Sequence, residues 1–479
     1  MEKKFKDIEF GFADASTEAH VRPELLIDAF YHSEIADKMW SDRHFLLLGL
    51  KGAGKSAVAW RLQLEASEVP QKFAKILELQ DFPFGQFAKV QVETSDRKAR
   101  YVESWKFFLY VNLLYLVIQD QALDKSSVPG IDYLLRGLAE IGVLPSDNLT
   151  TMVTKSKRKK FKAGVSKGIN LGVESESELI PSQQSTLIQQ LESVLTSLRS
   201  ESEFRIIVDG LDDYLSDEEQ TFAILVALVH AVKRINELLR SSSLDAKVIL
   251  LVRSDLYDGF SDSNLNKWKR DYAIKMEWYD ETGSPSESRL FQLVNLRATL
   301  SVGRQVKVAE CWLPEFVDGQ AVEKYLLDLT RHRPRDVIQL FNELKEASGS
   351  GRLTVEQVRE AETSYSREYL LDEMNDELAG LLDRDLAKKA FELIFSLRQT
   401  KFDFAEVCNA ASADRFGFDS ESVGQILERL FNCGAIGLVD RKSGHSHTTF
   451  KYRNPAAVFS SNTNYIVHRG LRKAANLSL

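Results

Sequence analysis

One segment near the start of the chain constrains its fold more than any other. It is Gly49-Leu-Lys-Gly-Ala-Gly-Lys-Ser56, which matches the pattern G-x-x-x-x-G-K-[ST] in full. The apolar run His44–Gly49 precedes it, and a segment of helical pattern follows from Lys55. A glycine-rich turn that matched by chance would lack both flanking elements. The pattern therefore predicts a buried strand, a phosphate-binding loop and a helix.

The loop also predicts which residues hold a nucleotide. Its glycines let backbone N–H groups close around a polyphosphate, and the helix that follows directs its positive end at the anion. Lys55 is expected to reach the β- and γ-phosphates of ATP, and the Ser56 hydroxyl to bind Mg²⁺. The expected nucleotide-binding residues are Gly49, Gly52, Ala53, Gly54, Lys55, Ser56 and Ala57.

A second element of a phosphate site follows in Ile206-Ile-Val-Asp-Gly-Leu-Asp-Asp213. A carboxylate at the end of a buried strand can hold the Mg²⁺ that Ser56 also holds, so Asp209 is the predicted metal ligand. The alternative is that Asp209 caps a helix or a turn. A carboxylate a few residues farther on could polarise the attacking water, and the sequence does not distinguish Asp212 from Asp213 in that role.

Apolar strands that alternate with helices predict an α/β fold with a parallel sheet flanked by helices. At 479 residues the chain is too long for one hydrophobic core. We expect a P-loop core at 1–285 with a basic insertion near 150–180, a helical lid at 286–375 and a winged-helix domain at 383–479. The predicted strands are His44–Gly49, Ala88–Glu93, Phe204–Val208, Lys247–Val252 and Ala273–Trp278.

Composition excludes some classes of protein. The formal net charge of -8 argues against a chain that coats nucleic acid through its overall charge. Three scattered cysteines indicate thiols in a reducing cytoplasm rather than a disulfide framework. The most apolar stretch, Phe107–Ile118, falls short of the ~20 residues that span a bilayer and is interrupted by Asn112. We therefore expect a cytoplasmic protein with no membrane contact and a buried helix at this stretch.

Val208-Asp-Gly-Leu-Asp-Asp213 resembles the second motif of STAND NTPases and their KAP-type and AAA+ relatives. In that motif, apolar residues precede Asp-Gly-x-Asp-[Asp/Glu]. The resemblance extends to Leu250–Asp255, which occupies the place of the sensor strand. It implies that Arg253 or Ser254 senses the γ-phosphate.

Two more arginines take roles from the same resemblance. The segment Thr330–Asp336 is similar to the start of the lid helix in KAP-type and AAA+ proteins, which implies that Arg335, or else Arg333, reaches back to the nucleotide. The alternative is an arginine that only solvates a helix start. Arg270 lies where ring-forming AAA+ proteins place the arginine that reaches a neighbour's ATP, which implies a homo-oligomer. A solvated basic turn is at least as consistent with this segment.

The end of the chain has the order of a winged helix: three helical segments, then two short strands. Residues 383–479 carry 14 Lys and Arg against 10 Asp and Glu, a net charge of +4 in an acidic chain. Double-stranded DNA and an effector protein are equally consistent partners, since winged helices serve both. The basic run at 155–162 is a second candidate for nucleic-acid binding. A solvated flexible insertion explains this run better, because no aromatic platform accompanies it. The residues that could meet DNA phosphates are Arg441, Lys442, Lys451 and Arg453.

Together these features predict a Mg²⁺-dependent ATP-binding and hydrolysing switch whose turnover changes contacts with DNA, sister subunits or an effector. The segment at 10–16 and the winged C-terminal unit resemble uncharacterised bacterial P-loop ATPases of phage-defence or mobile-element neighbourhoods, which implies a role in antiviral defence. Two alternatives share the loop: a small-molecule or nucleotide kinase, and a nucleotide-binding scaffold without turnover. A compact kinase needs neither a winged unit nor a helix-rich lid.

Overall fold

The computed structural model describes residues 4–79, 97–128, 130–140, 181–211, 219–260, 262–281, 283–379, 384–412, 416–442 and 445–477. The chain divides into two compact units. The sheet unit comprises His32–Lys51 and Lys55–Met276. The helical unit comprises Met1–Tyr31, Gly52–Gly54 and Glu277–Leu479.

A five-stranded parallel sheet forms the centre of the sheet unit, with the order β2-β3-β4-β1-β5. Each of β1, β3 and β4 contains a continuous apolar run, 46–48, 206–208 and 248–252, as expected of parallel strands covered by helices. The expected α/β fold class is therefore confirmed. The strands are β1 Leu46–Gly49, β2 Lys72–Glu78, β3 Glu203–Asp209, β4 Asp245–Arg253 and β5 Ala273–Met276.

Two long helices supply much of the apolar core around this sheet. The helix Arg97–Val117 contains the predicted buried stretch, and Asn112 within it donates a hydrogen bond to the Phe108 carbonyl of the same helix. The buried Trp105 donates its indole N–H to the Ile224 carbonyl at 3.0 Å. The other helices of the unit are Ser33–Ser41, Lys55–Glu68, Ile131–Glu140, Pro181–Ser197, Glu219–Arg240, Ser254–Asp258 and Leu265–Tyr272.

One strand of the sheet, β2, was not expected from its sequence pattern. The predicted strand Ala88–Glu93 and the predicted insertion near 150–180 fall outside the described residues. In the structure β2 is Lys72–Glu78, at one edge of the sheet and mostly half-exposed. An edge strand with polar residues on both faces shows neither a continuous apolar run nor strict alternation, so the usual strand signals are missing.

The helical unit contains the N-terminal helices Ala15–Val21 and Pro23–Ile27. Asp14 caps the first of them by accepting a 2.7 Å hydrogen bond from the Thr17 N–H. Buried Glu18 then pairs with buried Arg297 at 2.7 Å, which joins this segment to the helix Arg289–Val302. The remaining elements before residue 380 are the helices Val308–Trp312, Val322–Asp328, Pro334–Ala347, Val355–Ser364 and Leu371–Ala379, the short 3-10 helices Phe5–Asp7 and Pro285–Glu287, the π-helix Tyr365–Leu370, and the strands β6 Phe316–Val317 and β7 Gln320–Ala321.

The C-terminal segment, residues 384–477, contains three helices followed by two paired strands, together with a strand between the first two helices and another after the pair that the sequence did not predict. It packs on the preceding helices of the helical unit: Arg453 pairs with Asp328 at 3.0 Å, and Arg469 donates to Gln320 at 2.6 Å. Its sheet has the order β10-β9-β11-β8. The elements are the helices Arg384–Ser396, Phe404–Ala411 and Ser420–Asn432, and the strands β8 Lys401–Phe402, β9 Ile436–Lys442, β10 His445–Thr449 and β11 Asn464–Val467.

Among the described residues, no helix is both long enough and apolar enough to span a bilayer.

Candidate nucleotide site

The loop of the G-x-x-x-x-G-K-[ST] pattern leaves the carboxyl end of β1, which lies between β4 and β5. Ligands of parallel α/β sheets bind at this edge. Gly52 and Gly54 have φ values of 76° and 95°, in the left-handed region that glycine enters at little cost. The backbone of the loop therefore requires Gly54, the second glycine of the pattern, and Gly52, which fills one of its variable positions.

Lys55 and Ser56 begin the helix Lys55–Glu68, which follows the loop directly. Lys55 is buried, and its ammonium donates to the carbonyl oxygens of Gly49 and Leu50, each at 3.2 Å. Ser56 is half-buried in the first turn, where backbone N–H groups have no intrahelical acceptor. A cation at the start of a helix, which is the positive end of the helix dipole, suits a phosphate.

The tip of the loop, Gly52–Gly54, packs within the helical unit. The backbone N–H of Arg335 donates to the Gly52 carbonyl at 3.4 Å. The indole N–H of Trp278 donates to the carbonyl of Ala53 at 2.8 Å. Two successive carbonyls of the tip are thus held by hydrogen bonds from the helical unit.

Asp209 is the last residue of β3, in register with Glu78 of β2. It is half-buried, and Gly210 turns the chain after it with a φ of 82°. In the described part of the chain, no group of three or more His, Cys, Asp or Glu side chains could hold a metal ion. Asp209 and the Ser56 hydroxyl are the groups that could hold Mg²⁺ here, since this ion commonly completes its coordination with phosphate oxygens and water.

The predicted water-orienting residues, Asp212 and Asp213, lie outside the described residues. Their role stays a prediction, as does the choice between them.

Arg253 ends β4, and its Cα is in register with Gly49, the first glycine of the loop. The side chain is buried and makes a two-pronged ion pair with Asp255, with Nε–Oδ1 at 3.1 Å and Nη2–Oδ2 at 2.6 Å. Ser254, the alternative sensor, begins the helix Ser254–Asp258. The implied sensor arginine therefore lies beside the loop with its guanidinium oriented by an acidic partner.

Arg335 and Arg333, the two candidate lid arginines, have acidic partners within the helical unit. Arg335 donates to Glu373 at 3.1 Å and to the Ala13 carbonyl at 3.2 Å. Burial alone would lower the pKa of Arg335, but the Glu373 carboxylate outweighs it and the pKa is raised. Arg333 is buried and donates to Glu377 at 2.8 Å.

A buried ionic cluster lies at the start of the helix Pro334–Ala347, and no sequence motif predicts it. Arg331 donates to both oxygens of Asp336, at 3.0 and 3.1 Å, and to Glu377 at 2.7 Å. Burial would raise the pKa of Asp336, but the adjacent Arg331 charge lowers it below its usual range. Glu377 bridges Arg331 and Arg333. No local sequence pattern indicates that Glu377 pairs with these arginines, because it lies more than forty residues along the chain from both of them.

Two histidines are kept neutral next to this cluster. The ring of His332 lies between those of Tyr279 and Tyr452, with centroids 5.0 and 6.0 Å away. His468 is buried; its Nδ1 accepts from the Gly470 N–H at 3.1 Å, and its Nε2 lies 2.9 Å from the Tyr452 hydroxyl. Burial, reinforced by the charge of Arg453, lowers the pKa of each histidine to about 3.

Arg270 is exposed near the end of the helix Leu265–Tyr272. Both a solvated basic residue and an arginine that reaches a neighbouring subunit would be exposed in this way. Its role in trans stays a prediction.

The predicted DNA-contacting residues differ in their surroundings. Arg453 follows β10, pairs with Asp328 and lies within 5.7 Å of the Tyr452 ring, so it holds the C-terminal segment to the rest of the unit. The ammonium of Lys451 donates to the Ala457 carbonyl at 2.8 Å. Arg441 and Lys442 form the end of β9.

Comparison with known proteins gives one family match. Residues 288–373 match the family described as the FunZ-associated C-terminal helical domain, FunZ_C. The match falls within the helical unit and covers the helices from Arg289–Val302 to Val355–Ser364. No curated protein matches the chain.

Two solved structures are similar at low sequence identity. The Walker-type ATPase PABY2304 of Pyrococcus abyssi is 12% identical, with 95% of this chain and 96% of that chain covered and a TM-score of 0.42. Cdc6p from Pyrobaculum aerophilum is 12% identical, with 92% of this chain and 89% of that chain covered and a TM-score of 0.32.

Proposed function

We propose that the chain is a Mg²⁺-dependent ATPase that binds ATP on the loop 49–56 and uses hydrolysis to change the contacts of its helical unit. The observation that carries the proposal is the loop itself. Gly52 and Gly54 adopt the left-handed backbone, and Lys55 places its ammonium at a helix start. A loop of this shape with a buried cation suits a polyphosphate better than a neutral ligand.

The side chains around the loop suggest a division of roles. Lys55 would exchange its two carbonyl acceptors for phosphate oxygens when ATP binds. Asp209 ends β3 and Arg253 ends β4, on adjacent parallel strands, so both reach the edge of the sheet at which the loop begins. Bound Mg²⁺ would neutralise phosphate charge there. Ser56 and Asp209 would hold this ion, and Arg253 would respond to the γ-phosphate.

Coupling to the helical unit follows from the two hydrogen bonds at the loop tip. Gly52 accepts from the first turn of the helix Pro334–Ala347, and in the same turn buried Asp336 pairs with buried Arg331, which precedes the helix. A buried ionic cluster tolerates few arrangements, because an unpaired buried charge costs about 3–5 kcal/mol. A change at the loop tip would therefore be transmitted to this cluster as a shift between packed arrangements.

The C-terminal segment favours a protein partner over DNA. Its third helix, Ser420–Asn432, exposes Glu421 and Glu428, whose negative charge would repel phosphates, and the neutral Gln425. Arg453 is already paired with Asp328. We therefore propose an effector protein as the output of the switch, with DNA as the second candidate.

Turnover measurements test the proposal against its two alternatives. The purified full chain should release inorganic phosphate from MgATP with no added acceptor, which a small-molecule or nucleotide kinase would do only slowly. ATP binding without phosphate release, with and without duplex DNA, would instead identify a nucleotide-binding scaffold. If MgATP neither binds nor stabilises the protein, the proposed function is wrong.

A further inference from the structure

Trp278 is a residue to which neither the motifs nor the comparisons assign a role. It follows β5 by two residues and is buried in the helical unit. Its indole N–H donates to the Ala53 carbonyl at 2.8 Å, across 225 residues of sequence. Its ring lies beside that of Tyr31, with centroids 5.8 Å apart.

The consequence for the loop follows from peptide geometry. In a planar trans peptide, the C=O of one residue and the N–H of the next point in opposite directions. A hydrogen bond that fixes the Ala53 carbonyl therefore also fixes the direction of the Gly54 N–H. The Arg335 N–H acts in the same way on the Gly52 carbonyl and the Ala53 N–H.

These two N–H groups belong to the part of a phosphate loop that surrounds the anion. Donors that are already oriented bind an anion without a reorganisation cost, whereas a peptide free to rotate must be ordered on binding. Gly52 and Gly54, which flank Ala53, have the widest backbone freedom of any residue type. An external restraint is therefore most useful at this point of the loop.

We propose that Trp278 is a positioning residue of the phosphate loop, whose indole N–H holds the Ala53–Gly54 peptide so that the Gly54 N–H faces the bound phosphate. The proposal rests on the proposed function, because it requires ATP on this loop. Trp278 acts through the loop backbone and touches neither the reacting atoms nor the metal. A phenyl ring in its place would keep the contact with Tyr31 but could not donate.

The test is Trp278→Phe, with Trp312→Phe as the matched control. Trp312 is also in the helical unit, with its ring 6.2 Å from that of Phe5. Because the Gly54 N–H contacts phosphate in the ground state and in the transition state alike, its misplacement should raise KM and leave kcat nearly unchanged. We expect KM for MgATP to rise about fivefold or more in Trp278→Phe, the loss of one net hydrogen bond, and to stay at the wild-type value in Trp312→Phe.

Fluorescence gives a second readout that a purely structural role would not change. MgATP should alter the tryptophan emission of the wild type and of Trp312→Phe, and the change should be absent from Trp278→Phe. If Trp278→Phe does not fold, Tyr31→Leu replaces it, because it loosens the indole while leaving the donor in place. A smaller rise in KM is then expected, and an unchanged KM would overturn the proposal.

The outcomes separate this inference from the proposed function. A wild type that does not bind MgATP overturns the function. A wild type that hydrolyses ATP, beside a folded Trp278→Phe variant with the same KM, overturns the role of Trp278 alone. A fall in kcat at unchanged KM also overturns it, because the defect would then lie in the chemical step.

Discussion

The backbone N–H of Arg335 lies 3.4 Å from the carbonyl oxygen of Gly52, so the start of the helix Pro334–Ala347 contacts the loop 49–56 through its main chain. The guanidinium of the same residue bonds to Glu373 and to the Ala13 carbonyl instead. Resemblance to AAA+ proteins implies that this guanidinium reaches the nucleotide. To do so here, it would have to exchange Glu373 for a phosphate. Nucleotide binding would then break the Arg335–Glu373 ion pair.

Lys55→Ala should abolish ATP binding and leave the fold intact. The ammonium donates to loop carbonyls and would donate to phosphate oxygens when ATP binds. Its loss therefore removes polar contacts rather than packing between apolar side chains. A ligand at 100 times its Kd stabilises a protein by about 2.7 kcal/mol. MgATP should therefore raise the melting temperature of the wild type, and of a control with the exposed Lys38 replaced by Ala, but not that of Lys55→Ala. Equal shifts in all three would contradict the assignment.

Asp209→Asn should weaken Mg²⁺-dependent hydrolysis, because the amide is a poorer ligand for a hard cation. Asp212→Asn or Asp213→Asn should instead slow turnover and retain ATP, since a water-orienting carboxylate acts after binding. Phosphate release measured across a range of Mg²⁺ concentrations separates the two effects. Asp271→Asn, an exposed position in the sheet unit, is the control. Wild-type rates in both Asp212→Asn and Asp213→Asn would show that neither residue orients the water.

Arg270→Ala should lower turnover by about 10³-fold or more if the arginine reaches the ATP of a neighbouring subunit. Mixing this variant with Lys55→Ala should then restore part of the activity, because each lacks a different half of a shared site. Lys267→Ala, an exposed change on the same helix, should behave as the wild type. Absence of recovery between two folded variants would favour a monomeric switch.

Charge reversal at Arg441 and Lys442 tests the DNA alternative. If β9 meets phosphates, the double variant should bind duplex DNA more weakly at every sequence, with a flatter salt dependence, because phosphate contacts release counterions without reading bases. Fluorescence anisotropy at two salt concentrations measures both quantities. If the wild type with ATP shows no salt-dependent binding, the C-terminal segment contacts protein instead.

Stability should fall as the pH drops below the ordinary histidine range. Burial lowers the pKa of His332 and of His468 to about 3. The unfolded chain therefore binds protons near pH 6.5 that the folded chain binds only near pH 3. Stability is therefore complete above about pH 6.5 and is lost toward pH 3, by up to about 1.4 kcal/mol per pH unit for each histidine.

Replacement of His468 tests this slope. Asn can still accept from the Gly470 N–H, so His468→Asn should lower the stability at pH 7 but show a shallower decline toward pH 5. Urea denaturation at pH 7, 6 and 5 measures the slope. The exposed His20, replaced by Asn, should keep the wild-type slope. Parallel curves for the wild type and His468→Asn would contradict the effect of burial on the pKa.

The predictable parts of the fold are those with a local signal. The sequence pattern predicts the starts of β3 and β4 to within two residues, because each of these buried parallel strands contains a continuous apolar run. The edge strand β2 was missed, because half-exposed positions accept lysine as readily as leucine. The cluster of Arg331, Asp336 and Glu377 was missed for another reason: it joins residues whose spacing carries no periodic pattern.

The shape of the loop 49–56 follows from its residue types alone. Gly52 and Gly54 take backbone angles that other residues rarely adopt, so the requirement is written in the residue types themselves. The hydrogen-bond partners of the loop and the acidic partner of Arg335 depend instead on the tertiary structure. Trp278 and Ala53 meet after 225 intervening positions, and Arg335 finds Glu373 on another helix. Partners of this kind are selected by packing over the whole chain, because a hydrogen bond depends on distance in space and not on distance along the sequence.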